Sequence, residues 1–158
     1  MDFNLPRHLV MVQKTVRRFV DEELIPLEQE GVEYDPIPEH IEKRLNDKVK
    51  KLGLWALYVP KELGGAGLGL LGWVVMREQI SRAIVGDIRD SRGFGGNPWP
   101  IMFEVNEEQK ERYLMPLIRG EKGFFFGLTE PNTGSDPASM LTTATKRGDN
   151  WVLNGSKI

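Results

Sequence analysis

Apolar side chains recur every three to four positions near the start of the chain. Leu9, Val12, Val16, Phe19 and Val20 form one stripe, with Lys14, Arg17, Arg18 and Asp21 between them. That spacing predicts an amphipathic helix. Pro6 suits its first turn, where the backbone N–H has no helical partner anyway. Pro26 is expected to end or kink it. A second helix is expected after Pro38, with Ile41, Leu45, Val49 and Leu52 on one side and Gly53 as its stop. A third covers residues 70–83 and carries Leu71, Val74, Val75 and Ile80. A fourth begins at Asn106, where Asn-Glu-Glu-Gln offers a cap with Gln109 at its third position. Acids fill its first turn and Arg119 its last, as the helix dipole favours, and Gly120 closes it.

The texture changes after Gly120. Residues 123–129 are an aromatic run better suited to strand than helix, and residues 142–145 are β-prone. Residues 146–150 read as a turn and residues 151–153 as a returning strand. A domain boundary is therefore expected near residues 120–123, with a helical domain over 1–122 and the beginning of a β domain over 123–158. Two or three strands bury little and leave open edges, so that second domain is expected to be incomplete.

Composition narrows the function classes. Of 158 residues, 40% are hydrophobic and 28% charged, the balance of a globular chain. The net charge of −2 gives no electrostatic footprint for nucleic acid or an anionic membrane. The absence of cysteine excludes a disulfide scaffold, a thiolate nucleophile and a Cys-ligated metal, and fits a reducing compartment. The stretch MDFNLPRHLV lacks the layout of a signal peptide. The longest apolar run, residues 68–76, is far short of the roughly 20 residues of a membrane span.

Most local features have structural readings. GAGLG at residues 65–69, with Gly72 beyond it, matches the letters of a dinucleotide fingerprint but not its βαβ context. The turn-rich segment YVPKELGGAGLG, residues 58–69, is therefore read as a structural loop. His8 and His40 share no ligand spacing, so no metal site is expected. The alternating charges at residues 87–92 read as a solvated face. Trp55, Trp73 and Trp99 are expected to anchor a core or an interface.

GLTEPNTGSD, residues 127–136, follows Phe124-Phe125-Phe126 directly. A plain turn requires neither the Thr129 and Ser135 hydroxyls nor a Gly134 that lets backbone amides approach a partner. Such a bend suits phosphate oxygens or the polar edge of a heterocycle. Many ordinary turns also carry these residues, so chemistry alone leaves a cofactor loop and a structural turn equally open.

The same loop resembles the first signature of the acyl-CoA dehydrogenase family. LGLWALYVPKELGGAGLG is similar to that family's loop between early helices, and NEEQKERYLMPLIRGE to the helix leading to its β domain. GDNWVLNGSKI looks like its Gly-Asp-x-aromatic-x-Leu-Asn-Gly-x-Lys strand. One departure is Thr133, where the family usually has Gly, Ala or Ser; the extra methyl is expected to tighten the loop.

The resemblance implies a mainly α fold, a helical bundle followed by the first strands of a truncated β-barrel-like domain. It implies FAD as cofactor, oxidation of an acyl-CoA thioester to the 2-enoyl-CoA, electron transfer to an electron-transferring flavoprotein, and a dimer or tetramer when complete. Phe126, Leu128 and Thr129 would face the isoalloxazine, with the Thr129 hydroxyl on its pyrimidine edge. Gly134 and Ser135 would lie near the pyrophosphate, and Ser135 near the CoA of the substrate. Glu130 and Asp136 are expected to hold the bend.

In the family a second flavin motif, Trp-Ile-Thr, would begin just after Ile158, and the base is a C-terminal-domain glutamate. No catalytic residue is therefore assigned here, and these residues alone are expected to be inactive and to bind FAD weakly or not at all. Part of the acyl-pocket wall would lie in residues 85–98, where Asp87, Arg89, Asp90 and Arg92 suit a polar or branched substrate, or a pocket built differently, as readily as a long straight chain. An acyl-CoA oxidase on the same fold and a non-catalytic helical interaction module are the competing readings. The expected compartment is the cytoplasm, or the mitochondrial matrix in a eukaryote.

Overall fold

The computed structural model describes residues 4–31, 37–84 and 94–158. It divides into two units, Met1–Gly123 and Phe124–Ile158. The charges at residues 87–92 and most of the expected acyl-pocket wall lie outside the described residues.

Helix α1 (Arg7–Phe19) starts on Pro6 and buries Leu9, Val16 and Phe19. Pro26 does not end it. A π-helical turn, Val20–Leu24, leads straight into α2 (Ile25–Gln29), and the Ile25 N–H bonds to the Val20 carbonyl, five residues back. A proline ring normally clashes with the carbonyl four residues earlier; the wider turn relieves that crowding and keeps the chain helical. The same device recurs before Pro116. The helix opened by Asn106 passes from α5 (Glu107–Gln109) through a π turn, Lys110–Leu114, into α6 (Met115–Arg119). Its capping box is complete: the Gln109 N–H donates to Asn106 Oδ1 at 2.9 Å and the Asn106 N–H to Gln109 Oε1 at 3.1 Å.

Helix α3 (Glu39–Lys51) buries Leu45 and Val49 and ends on Leu52, with Gly53 following at φ +67°. Helix α4 (Gly69–Ile80) packs against α1 and buries Gly72, Val75, Met76, Gln79 and Ile80. Leu71 and Val74, expected on its core stripe, are exposed, and so is Leu70. Its first two turns, residues 69–76, are apolar all round, so periodicity does not identify the inward face, which holds Gly72, Val75, Met76 and Ile80.

One core cluster joins Phe19, Leu24, Leu45, Leu57, Met76 and Phe94, with Phe19 and Phe94 edge to face at 5.2 Å. Each such side chain contributes about 1.5–3 kcal/mol on burial. A smaller cluster joins Ala56, Val59, Leu114 and Ile118, and Trp55 packs against both. The Trp55 Nε1–H donates to the Ile118 carbonyl at 2.6 Å, and Lys50 Nζ lies 4.4 Å from the ring centre. Gly96 and Gly120, each at φ +75°, press against the same ring, where a Cβ would overlap it. Trp73 meets Tyr58 edge to face, but Trp99 is 45% exposed and is no core anchor.

The GAGLG segment is structural. Gly67 and Leu68 donate backbone hydrogen bonds to Val59 and Leu57, both at 2.9 Å, folding the loop back on the segment before it.

In the second unit, β1 (Thr143–Arg147) pairs antiparallel with β2 (Asn150–Asn154). Gly148, at φ +60°, and Asp149 form a two-residue turn, so Lys146 and Asn150 lie in strands rather than in the turn expected. The aromatic run at residues 123–129 forms no strand among the described residues. A strand needs a ladder partner, and this sheet has two strands, each paired with the other.

Candidate functional site: a polar loop held by a buried carboxylate

The bend is set first by Glu130 and Thr133. They exchange both backbone hydrogen bonds, Glu130 N to Thr133 O at 2.9 Å and Thr133 N to Glu130 O at 3.2 Å. Pro131 and Asn132 form the tip between them, a pair whose fixed φ and small amide suit a reversal. Thr129 and Gly134 therefore flank one bonded pair on adjacent arms. Beyond the tip, the Thr133 hydroxyl donates to the Asp136 carbonyl at 2.9 Å and lies 2.7 Å from Ser139 Oγ. Asp136 Oδ1 accepts the Ala138 N–H at 3.1 Å, capping the short 3-10 turn Pro137–Ser139. Thr133 thus tightens the loop through its hydroxyl, where sequence reading credited its methyl.

Under the loop lies Glu130, 5% exposed. Its carboxylate accepts the Leu141 N–H at 2.7 Å, the Thr142 N–H at 3.0 Å and the Lys157 ammonium at 2.9 Å. Lys157 chiefly, then Thr142 and the Leu141 amide, hold the carboxyl down at about 2, against an ordinary value of 4.5. Lys157 also donates to the Leu128 carbonyl at 3.1 Å and to Met140 Sδ at 3.2 Å, engaging all three of its N–H bonds. The next residue completes the clasp: the Ile158 N–H donates to the Thr129 carbonyl at 3.0 Å. Gly155 lets the segment approach, since a Cβ there would run into the Thr142 side chain.

The clasp leaves specific groups open. Thr129, Gly134 and Ser135 are exposed, and Leu128 is half-buried. The Thr129 and Ser135 hydroxyls and the Thr129, Gly134 and Ser135 N–H groups have no hydrogen-bond partner among the described residues. Phe125 and Phe126 are exposed at 93% and 64%. A Cβ on Gly134 would meet nothing, so packing within the chain does not explain that glycine. Open donors beside exposed rings fit a flat, oxygen-bearing ligand such as FAD: amides and hydroxyls for its oxygens, apolar faces for its ring. Lys157, the residue that organises the loop, was missed in the sequence. The available signal was Glu130 itself, since a carboxylate next to an apolar run requires a cation or several donors.

The helical unit carries a separate concavity of about 480 Å³, lined by Tyr58, Leu70, Trp73, Pro98, Trp99 and Pro100, with Asn97 as its one amide side chain. It suits an apolar guest and no acid–base chemistry. Among the described residues no group of three His, Asp or Glu side chains could hold a metal, and no helix is long and apolar enough to cross a membrane.

Comparison with known proteins identifies the family of the helical unit. Residues 7–121 match the family model for the acyl-CoA dehydrogenase N-terminal domain. The 3-(aryl)acrylate reductase of Clostridium sporogenes is 38% identical over 148 residues, covering 93% of this chain and 38% of that protein. The short-chain specific acyl-CoA dehydrogenase of Clostridium acetobutylicum is 37% identical over 162 residues, covering 100% of this chain and 41% of that one. A crystal structure of an acyl-CoA dehydrogenase from Bacillus anthracis complexed with FAD superposes with a TM-score of 0.72 at 34% identity, covering 98% of this chain and 26% of that one. The chain thus spans about two fifths of the length of these curated relatives.

Proposed function

The chain belongs to the acyl-CoA dehydrogenase family, and from that premise we propose that it is the N-terminal part of an FAD-dependent acyl-CoA dehydrogenase. Residues 1–122 supply the helical domain and residues 123–158 begin the middle β domain. The observation that carries the reading is the loop of open donors, whose conformation is fixed from below by the buried Glu130 carboxylate and its ion pair with Lys157.

Each residue has a distinct task. Phe126 and Leu128 present apolar surface to the ring. Thr129 donates its hydroxyl to the pyrimidine edge, where a fixed donor stabilises negative charge. The Gly134 amide and Ser135 hydroxyl hold the pyrophosphate, and Ser135 also contacts the CoA portion of the substrate. FAD, when bound, would supply the acceptor for the hydride that leaves the β-carbon. Glu130 is no candidate base. Its oxygens are occupied by three donors and its carboxyl is held at about 2, so it cannot take an α-proton near neutral pH. In this reading no residue of 1–158 is assigned as the base that takes that proton. An electron-transferring flavoprotein as acceptor, a dimer or tetramer as the working state, and a cytoplasmic or mitochondrial-matrix location belong to the same proposal.

The test is spectroscopic. The complete protein should be yellow and should bleach anaerobically with its acyl-CoA. Because one relative is named a reductase, reduction of the matching 2-enoyl-CoA belongs in the same assay. A colourless complete protein that binds no FAD refutes the reading. Stoichiometric hydrogen peroxide in air would replace the dehydrogenase with an oxidase. Residues 1–158 alone should be colourless and produce no enoyl-CoA.

A further inference from the structure

We propose that Lys157 and Glu130 form a positioning pair that aims the Thr129 N–H at the bound flavin; this rests on the flavin-loop reading above. The Leu128 carbonyl and the Thr129 N–H belong to one planar peptide unit. In a trans peptide the two point in opposite directions. Lys157 holds that carbonyl at 3.1 Å from below, so the N–H of the same unit faces away from the clasp. Ile158 holds the next carbonyl, that of Thr129, at 3.0 Å. Two successive carbonyls are thus anchored, one by the Lys157 side chain and one by the Ile158 N–H. The intervening Thr129 N–H and the Thr129 hydroxyl have no partner among the described residues.

The anchoring also changes the donor. A cation bound to a carbonyl polarises the peptide and strengthens its N–H as a hydrogen-bond donor. Glu130 fixes the cation in turn. Its side chain is 4% exposed and it accepts Lys157 at 2.9 Å, while the Leu141 and Thr142 amides hold it in place. Lys157 therefore acts on the ligand through the Leu128–Thr129 peptide without touching it, and Glu130 acts through Lys157.

The experiment compares Lys157→Met, Lys157→Arg and Glu130→Gln in the complete protein, with FAD as the probe. Lys157→Met keeps the stem and removes the charge. It should weaken FAD binding about tenfold, the scale of one charge-assisted hydrogen bond, and move the midpoint potential of the bound flavin to more negative values. Lys157→Arg should restore most of both properties, and Glu130→Gln should fall between. A role in folding alone would lower the melting temperature but leave the potential of the FAD-bound molecules unchanged. Wild-type affinity and potential in Lys157→Met, or a potential that Arg does not restore, overturns the pair. A wild-type protein that binds no FAD overturns the flavin reading and this inference together; a normal wild type with a silent Lys157→Met overturns only this inference.

Discussion

The two units of this chain are held together by opposite means. Every buried apolar side chain among the described residues lies in Met1–Gly123, from Leu9 to Ile118. In Phe124–Ile158 the one buried side chain is a carboxylate, Glu130, while Phe125, Trp151 and Leu153 face outward. The helical unit gains its stability from non-directional burial, which tolerates small shifts in geometry. The loop unit gains its shape from short, directional, charge-assisted bonds, which fix geometry but bury little. A scaffold needs the first property; a surface that must present individual N–H and O–H groups needs the second.

Deleting the same side chain on each side gives the largest contrast. Leu57 is fully buried, and Leu57→Ala should cost about 2–5 kcal/mol in urea unfolding. Leu153 is 71% exposed, and Leu153→Ala in residues 1–158 should cost less than about 0.5 kcal/mol. Equal losses would dissolve the distinction. Next comes Gly96→Ala, which forces a Cβ into the Trp55 ring at φ +75°. A loss of about 2–3 kcal/mol, with changed Trp fluorescence, is expected. A neutral variant would show that the Trp55 junction yields easily.

Thr129→Val should leave the melting temperature unchanged, because the hydroxyl has no partner among the described residues, and should weaken FAD binding in the complete protein by about 1 kcal/mol. A change in stability with unchanged FAD affinity would make Thr129 a turn residue. The smallest global effect is expected from acid. The Glu130 carboxyl sits at about 2 in the folded chain, below its ordinary 4.5, so the folded state binds fewer protons. Its stabilising contribution is complete above pH 4.5 and is lost as pH falls from 4.5 toward 2. Amide protection factors at Leu141 and Thr142, corrected for the intrinsic exchange rate at each pH, should fall across that window while α1 and α3 stay protected. Protection at Leu141 that is flat down to pH 2 would contradict the ion-pair clasp.

Helices α1 and α3 were legible in the sequence because each has one apolar side. Helix α4 was legible as a helix but not in its facing, since Leu70, Leu71, Trp73 and Val74 interrupt any single stripe. Pro26 predicts an end or kink in the helix; regular α1 does stop at Phe19, but the chain stays helical through a π turn, which has no signature in residue type. In the loop, the open hydroxyls were legible from the chemistry of Thr129 and Ser135. The support was not: Lys157 is 27 positions from Glu130, and no local pattern encodes a contact at that range.

The clasp also bears on covalent chemistry. Acyl thioesters slowly acylate amines, so a protein that handles them exposes its own lysines to damage. Lys43 and Lys51 lie open on α3, whereas Lys157 has all three N–H bonds committed, to Glu130, Leu128 and Met140. Attack by that nitrogen would first require it to give up the ion pair with Glu130 and the bond to the Leu128 carbonyl. Peptide mapping after exposure to an acyl thioester should find Lys43 and Lys51 modified well before Lys157, so the residue that shapes the loop is also the one its surroundings protect from acylation.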